Sequence, residues 1–231
     1  MNLAIVGYGK MGHIIERLAP EYGFDVKLRL DIDNNGHFEG LTAAHFHGID
    51  AAVEFSTPTT APENIDRLAA LGVNVVVGTT GWFHQLDRAR AAVETAGTGL
   101  IWSPNFSVGV SVFSHLVAEA ARLLARQPEY AAWGWEIHHS TKKDAPSGTM
   151  LALVETMKRN GYDKPIDVAA NRAGTHAGTH EIGFDSAADT ITIRHAARGR
   201  DGFARGALRA ARWVAGKKGF YDFRAIVGEL E

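Results

Sequence analysis

Cysteine is absent from all 231 residues. This removes disulfides, thiolate metal ligands and a cysteine nucleophile from consideration, and it is compatible with a reducing cytoplasm. Excess positive charge is absent too: 24 Lys and Arg stand against 26 Asp and Glu, so no bulk field draws the chain to nucleic acid or anionic membrane. The start, Met-Asn-Leu-Ala-Ile-Val-Gly, lacks the basic segment and long apolar stretch of a signal peptide or anchor. These features predict a cytoplasmic protein with neither a nucleic-acid nor a membrane partner. A hydrophobic content of 45% excludes a disordered chain, and the length allows one large domain or two small ones with a substantial core. No internal repeat or low-complexity segment interrupts it.

The N-terminal half carries a dinucleotide-binding pattern. Leu3 to Val6 is a short apolar run of the kind that forms a buried parallel strand, and Gly7-Tyr8-Gly9-Lys10-Met11-Gly12 follows it directly. This is G-x-G-x-x-G in the position where it has a mechanism. Gly7 permits the tight turn, Gly9 lets a pyrophosphate approach the backbone, and Gly12 allows close helix packing, while the helix N-terminus attracts phosphate. His13 to Tyr22 reads as the helix, with Ile14, Ile15 and Leu18 on one side, and Val26 to Leu30 as a second strand ending at Asp31. Asp31 is the acid expected to accept hydrogen bonds from the adenosine ribose. Asp33 reads as a turn residue with Asn34, Asn35 and Gly36.

Further strands are expected at Asp50 to Phe55, Val73 to Val77 and Leu100 to Trp102. Their ends run into Ser56-Thr57-Pro58, Gly78-Thr79-Thr80-Gly81 and Ser103-Pro104-Asn105-Phe106. In parallel α/β sheets ligands bind beyond the carboxyl ends of the strands. Three small-residue loops after three strands therefore predict one shared cofactor crevice, with Gly78, Thr79, Thr80, Ser103, Pro104, Asn105 and Phe106 among its lining.

The character of the chain then changes. Val108 to Ala125 has helical periodicity, with Val112, Leu116 and Leu123 among its apolar positions, and Trp133 to His138 reads as a strand. The strand enters the densest chemical cluster in the sequence, Trp135 to Met150. His138 titrates near neutral pH and Lys142 and Lys143 supply positive charge. Pro146 and Gly148 constrain a turn whose Ser147-Gly148-Thr149 offers hydroxyls and free N–H groups at the start of a helix, Met150 to Arg159. An anionic substrate suits this set. Adjacent strand residues point to opposite faces, so His138 and His139 do not chelate one ion together, and no metal site is expected. Glu181 to Asp185 and Thr190 to His195 alternate as antiparallel strands do, and Phe203 to Val214 reads as a closing helix. His176, His180 and His195 read as surface or satisfied core residues.

Taken together, these motifs resemble the 4-hydroxy-tetrahydrodipicolinate reductase (dihydrodipicolinate reductase) family of the diaminopimelate route to lysine. The resemblance rests on Gly7 to Gly12, Gly78-Thr79-Thr80-Gly81 and Asn105-Phe106-Ser107-Val108-Gly109. Above all it rests on Glu136-Ile137-His138-His139 with Lys142, Asp144 and Pro146-Ser147-Gly148-Thr149. It implies an α/β chain with two domains. A Rossmann-type dinucleotide-binding domain spans 1–107 and is completed by 200–231; a smaller α+β substrate domain with a mixed sheet spans 108–199 and assembles a homotetramer. It further implies NADH or NADPH as cofactor, a dicarboxylate substrate, His138 as acid/base and Lys142 as second proton donor and cation. His139, Gly148 and Thr149 become substrate-carboxylate contacts; Lys143 has no role in the pattern. Arg172-Ala173-Gly174 and Gly178-Thr179-His180 look like the family's segment flanking the substrate.

Two departures bear on the cofactor. The glycine loop is one residue shorter than in many relatives, and Ile32 follows Asp31 where several relatives carry Arg. Asp31 favours a free ribose hydroxyl and Ile32 offers a 2′-phosphate nothing, which favours NADH, although Lys10 is available to a phosphate. The alternatives are another small NAD(P)-dependent dehydrogenase, in which the lack of cysteine argues against a thioester mechanism, and a nucleotide-sensing regulator without turnover.

Overall fold

In the computed structural model, which describes residues 1–230, the chain forms two compact units. Met1–Val108 joins with the segment from Asp201 onward in the first, and Gly109–Arg200 forms the second. The elements run β1 (Asn2–Val6), α1 (Lys10–Leu18), β2 (Asp25–Leu30), α2 (Ile32–Asn35), β3 (Ala51–Glu54), α3 (Ala61–Ala70), β4 (Asn74–Val77), α4 (Leu86–Ala96) and β5 (Gly99–Trp102). There follow α5 (Val108–Leu124), β6 (Ala131–His138), α6 (Gly148–Arg159), β7 (Ile166–Arg172), β8 (Thr179–Asp185), β9 (Thr190–Ala196), α7 (Asp201–Val214), β10 (Gly219–Asp222) and α8 (Phe223–Ile226).

The first unit is a six-stranded parallel sheet in the order β10-β5-β4-β3-β1-β2. Its inner strands β1, β3, β4 and β5 are almost wholly buried because both faces are covered, whereas the edge strand β2 alternates exposed Asp25, Lys27 and Arg29 with more buried apolar residues. Leu3 and Ile5 pack with Ile15 and Leu18 of α1 and Leu208 of α7. The alternate residues Ala4 and Val6 pack with Ile65 and Leu68 of α3 and Val93 of α4. The register pairs Val6 with Glu54, Glu54 with Val77, and Val77 with Trp102. Four strands thus end in one row, and the loops that begin at Gly7, Phe55, Gly78 and Ser103 leave the sheet side by side.

Two details differ from the sequence expectation. The helix read through Tyr22 ends at Leu18 and continues as a 3-10 turn, Ala19–Tyr22, because Pro20 has no N–H to extend the α ladder; Gly23, at φ 73°, closes it. The turn expected around Asp33 to Gly36 is instead the one-turn helix α2, with Asp31 as its N-cap.

The second unit is a four-stranded sheet in the order β7-β6-β8-β9. β6 pairs with β7 in parallel and with β8 antiparallel, so the sheet is mixed. β7 and β10 were not legible as strands. Phe113, Val117 and Ala121 of α5 and Met150, Leu153 and Met157 of α6 pack on Ala132, Ile182 and Phe184. Val112, Leu116 and Leu123 lie instead on the outward stripe of α5, 44%, 54% and 54% exposed. Along β6, Ala132, Gly134, Glu136 and His138 are buried while Trp133, Trp135 and Ile137 on the opposite face are half-buried. Among the described residues no helix is long and apolar enough to cross a membrane.

Candidate active site

In the first unit the turn from β1 into α1 is built on three glycines, with three separate reasons. Gly7 has φ 93°, and a Cβ there would lie 2.2 Å from the Phe55 carbonyl oxygen. At Gly12 a Cβ would lie 2.7 Å from the Gly7 carbonyl oxygen, so only glycine lets α1 sit this close to the turn. Gly9 meets nothing within 4 Å and, as N-cap of α1, contributes no capping side chain. The start of α1 is therefore left without a capping side chain and with open space beside Gly9, which is what an approaching pyrophosphate would require. Tyr8 is half-buried, donates from its hydroxyl to Glu16 and lies edge-on to His13. Lys10 is exposed and Met11 half-buried in the first turn.

Asp31 sits at the end of β2 with its carboxylate exposed, Oδ1 accepting from Ile32 N–H at 2.9 Å while Asn34 Oδ1 accepts from Asp31 N–H at 2.7 Å. Beside it Ile32 is 79% exposed. Thr79 is buried and acts structurally: its hydroxyl accepts from Ser56 N–H at 2.8 Å and its carbonyl from Trp82 Nε1 at 2.8 Å. Gly78 is required by the Phe55 ring, which a Cβ would approach to 2.1 Å; Thr80 is exposed. Ser103 Oγ donates to Asn105 C=O at 2.8 Å, Asn105 Oδ1 accepts from Ser107 N–H at 2.8 Å, Pro104 is exposed, and Phe106 packs against Phe55 and Phe223.

One contributor to this edge was missed in the sequence. Glu54 is fully buried at the end of β3, accepts from Ser56 N–H at 3.2 Å, from the Ser56 hydroxyl and from Asn64 Nδ2 at 3.2 Å, and burial raises its carboxyl pKa.

The second unit gathers the His-Lys cluster. His138 is the last residue of β6 and 7% exposed, with Nδ1 3.8 Å from Glu136 Oε1 and its ring edge-on to His180 at 5.0 Å between centroids. A Cβ on Gly178 would lie 3.0 Å from His138 Nε2, so glycine there keeps that nitrogen's surroundings open. His139 lies beyond the strand end, half-exposed, with Nδ1 2.7 Å from Thr141 Oγ1. Lys142 donates to both carboxylate oxygens of Asp144, at 2.8 and 2.9 Å, and Lys143 is exposed. Ser147 caps α6, its hydroxyl accepting from Met150 N–H at 3.2 Å; Gly148, exposed, and Thr149, half-buried, form the open first turn.

Electrostatics follow from burial. Desolvation pushes the His138 pKa down, Glu136 counters it, and Lys142 and Arg172 add to the lowering. His180 is 5% exposed and is pushed down to about 4 by burial, which keeps it neutral at pH 7. Burial acts to raise the Glu136 carboxyl, but hydrogen bonds from Ser147 and Arg172 outweigh it and hold the group below its ordinary range. Lys142 likewise holds Asp144 low.

Glu136, His138 and His180 place ligand atoms within 4.8 Å of one another, a grouping that the spacing of His138 and His139 does not reveal. The Glu136 carboxylate is already engaged by Ser147 N–H, the Ser147 hydroxyl and the Arg172 guanidinium at 2.8 Å. A metal cation there would have to compete with that fixed positive charge, so the cluster is organised as a hydrogen-bond network. Glu136 stands in the motif that carries the resemblance, and Arg172 and His180 in the segments that look like those flanking the substrate, but sequence reasoning gave none of the three a role and did not show that they meet.

Comparison with known proteins agrees with both halves. Residues 1–106 match the family profile described as dihydrodipicolinate reductase, N-terminus, and residues 109–227 that described as its C-terminus. A 4-hydroxy-tetrahydrodipicolinate reductase of Christiangramia forsetii is 33% identical, covering 100% of this chain and 99% of its own. One from Archaeoglobus fulgidus is 34% identical over 96% of this chain and 97% of its own. The fold matches that of dipicolinate-bound dihydrodipicolinate reductase from Paenisporosarcina sp. TG-14 with a TM-score of 0.80 at 21% identity, covering 98% and 99% of the two chains. The chain belongs to the dihydrodipicolinate reductase family.

Proposed function

We propose that this chain is an oxidoreductase that uses NAD(P)H to reduce 4-hydroxy-tetrahydrodipicolinate to tetrahydrodipicolinate in diaminopimelate and lysine biosynthesis. The observation that carries this reading is the conjunction, in a member of this family, of a glycine cradle at Gly7, Gly9 and Gly12 with a buried imidazole, His138, close to the capped start of α6. After loss of water has left a conjugated imine, a dihydronicotinamide cofactor held at Gly7 to Gly12 would supply the hydride, and one proton donated by this chain completes the product.

His138 supplies that proton from a ring whose charged form burial disfavours, which eases its release. Lys142 is the second donor and the cation, exchanging Asp144 for a substrate carboxylate. The first-turn N–H groups at Gly148 and Thr149, with His139, receive a carboxylate, since the start of a helix favours negative charge. In the first unit, Gly7 to Gly12 would hold the pyrophosphate and Asp31 would accept from the ribose, with Gly78, Thr80, Pro104 and Asn105 at the crevice and the buried Thr79, Ser103 and Phe106 shaping its loops from behind. The exposed carboxylate of Asp31 and the apolar Ile32 favour NADH over NADPH.

The chain works as a cytoplasmic homotetramer assembled through the outward face of the second sheet. Trp133 and Trp135 stand half-buried on that face and line a shallow groove with Asp167, Ala169 and Glu181. The decisive assay supplies substrate by coupling pyruvate with aspartate semialdehyde through the preceding synthase and follows the absorbance of NADH. Oxidation that depends on both is expected; none would overturn the reductase reading and leave nucleotide sensing.

A further inference from the structure

We propose that Glu136 is a positioning residue for this reduction, a single buried carboxylate that places its charge beside the His138 ring and holds the anion-receiving start of α6. This rests on the reading in which His138 gives the proton and the first turn of α6 receives a carboxylate.

The strand pattern produces the arrangement. Glu136 and His138 are two apart on β6 and share the buried face, β8 places His180 directly across from Glu136, and β7 places Arg172 across from His138. Glu136 is 0% exposed, so its charge has to be matched by protein donors. Oε1 accepts from Ser147 N–H at 2.9 Å and from Arg172 Nη2 at 2.8 Å. Oε2 accepts from the Ser147 hydroxyl and lies 3.4 Å from His180 Nε2. Ser147 in turn caps α6 through Met150 N–H. Arg172 also donates to the Asp144 carbonyl, tying down the loop that carries Lys142.

Toward His138 the carboxylate acts through charge. The 3.8 Å separation is too long for a hydrogen bond, and His138 Nδ1 is buried without a partner among the described residues. The groups facing this ring are Glu136 from β6, Arg172 from β7, His180 from β8, and Lys142 and Asp144 from the loop, with His195 across from His180 on β9. Glu136 and Asp144 favour the protonated imidazole; Arg172 and Lys142 oppose it.

That opposition of signs gives the test. The unmodified protein, Glu136→Gln and Arg172→Gln are compared in three ways: the pH dependence of kcat/KM, the affinity for dipicolinate by calorimetry, and the NMR titration of His138, assigned by its loss in His138→Gln. In Glu136→Gln the descending limb of the pH profile, where His138 loses its proton, moves to lower pH. In Arg172→Gln it moves to higher pH. Glu136→Gln binds dipicolinate about tenfold more weakly, since one charge-assisted contact no longer fixes the α6 start, and NADH affinity is unchanged.

A folded Glu136→Gln protein with the original limb and dipicolinate affinity overturns the proposal, as does a shift of both variants in one direction. If Glu136→Gln does not fold, Glu136→Asp decides, since it keeps the charge but withdraws it from Ser147 and His138: dipicolinate affinity and His138 titration both as in the unmodified protein overturn the proposal. If the unmodified protein does not oxidise NADH with substrate, the reductase reading fails by itself, and the His138 titration and dipicolinate affinity still decide the role of Glu136.

Discussion

Glu136 on β6 and His180 on β8 are cross-strand partners whose side chains meet at one hydroxyl, that of Ser147, which donates to the carboxylate and lies 3.1 Å from His180 Nε2. The polar trio sits at the edge of a core of Phe113, Met150 and Ile182, where an unmatched charge would be costly. His180 is therefore held neutral, and its neutrality has a consequence for stability.

Burial lowers the His180 pKa from 6.5 to about 4. Below pH 6.5 the unfolded chain binds a proton that the folded chain refuses, so stability is present above that pH and is lost as pH falls toward 4. The full effect is about 3 kcal/mol. Urea midpoints measured from pH 7 to pH 4 should fall less steeply for His180→Asn than for the unmodified protein. Parallel curves for the two would contradict the assignment.

For His138→Gln, turnover should fall by about two to four decades with NADH affinity retained, because an amide keeps the ring's approximate size and supplies no transferable proton. The check is steady-state turnover beside a fluorescence titration of NADH. Near-normal turnover would remove His138 from the role of proton donor.

Lys142→Ala should lower both turnover and substrate affinity, together reducing kcat/KM by about ten- to a hundredfold, the worth of one charge-assisted contact. The Lys142 side chain is 24% exposed and its ammonium pairs with Asp144, so the cation is in place without being fully buried. Unchanged kcat and KM, with only the melting temperature lowered, would show that the Lys142–Asp144 pair merely shapes the loop.

The first unit was largely legible because each of its signals is local: an apolar run, three glycines, a helix and an acid, in order. The second was less so, for identifiable reasons. Glu136 sits in the most distinctive motif of the chain, but its partners Arg172 and His180 lie on two other strands, Arg172 36 residues away, and only the sheet register brings them together. β7 alternates half-buried and exposed residues and carries Asp167, Asn171 and Arg172, a weak strand signal, and β10 has only four residues. On α5 the apolar residues run most of the way round. Periodicity could not decide between the stripe of Val112, Leu116 and Leu123 and that of Phe113 and Val117, which is the one that faces the core.

Asp31 should set the cofactor preference. A ribose 2′-hydroxyl donates to its carboxylate, whereas a 2′-phosphate meets negative charge, and Ile32 beside it brings no compensating cation. Lys10 in the first turn of α1 is exposed and opposes the effect by attracting phosphate. Because Asp31 also caps α2, Asp31→Ala would cost the cap as well as the charge, whereas Asp31→Asn retains a capping side chain and isolates the charge. NADH should serve at least as well as NADPH in the unmodified protein. Asp31→Asn should lower kcat/KM for NADH and raise it for NADPH, each 1.4 kcal/mol counting for about tenfold. A preference for NADPH of about tenfold before any substitution would mean that Lys10 outweighs Asp31.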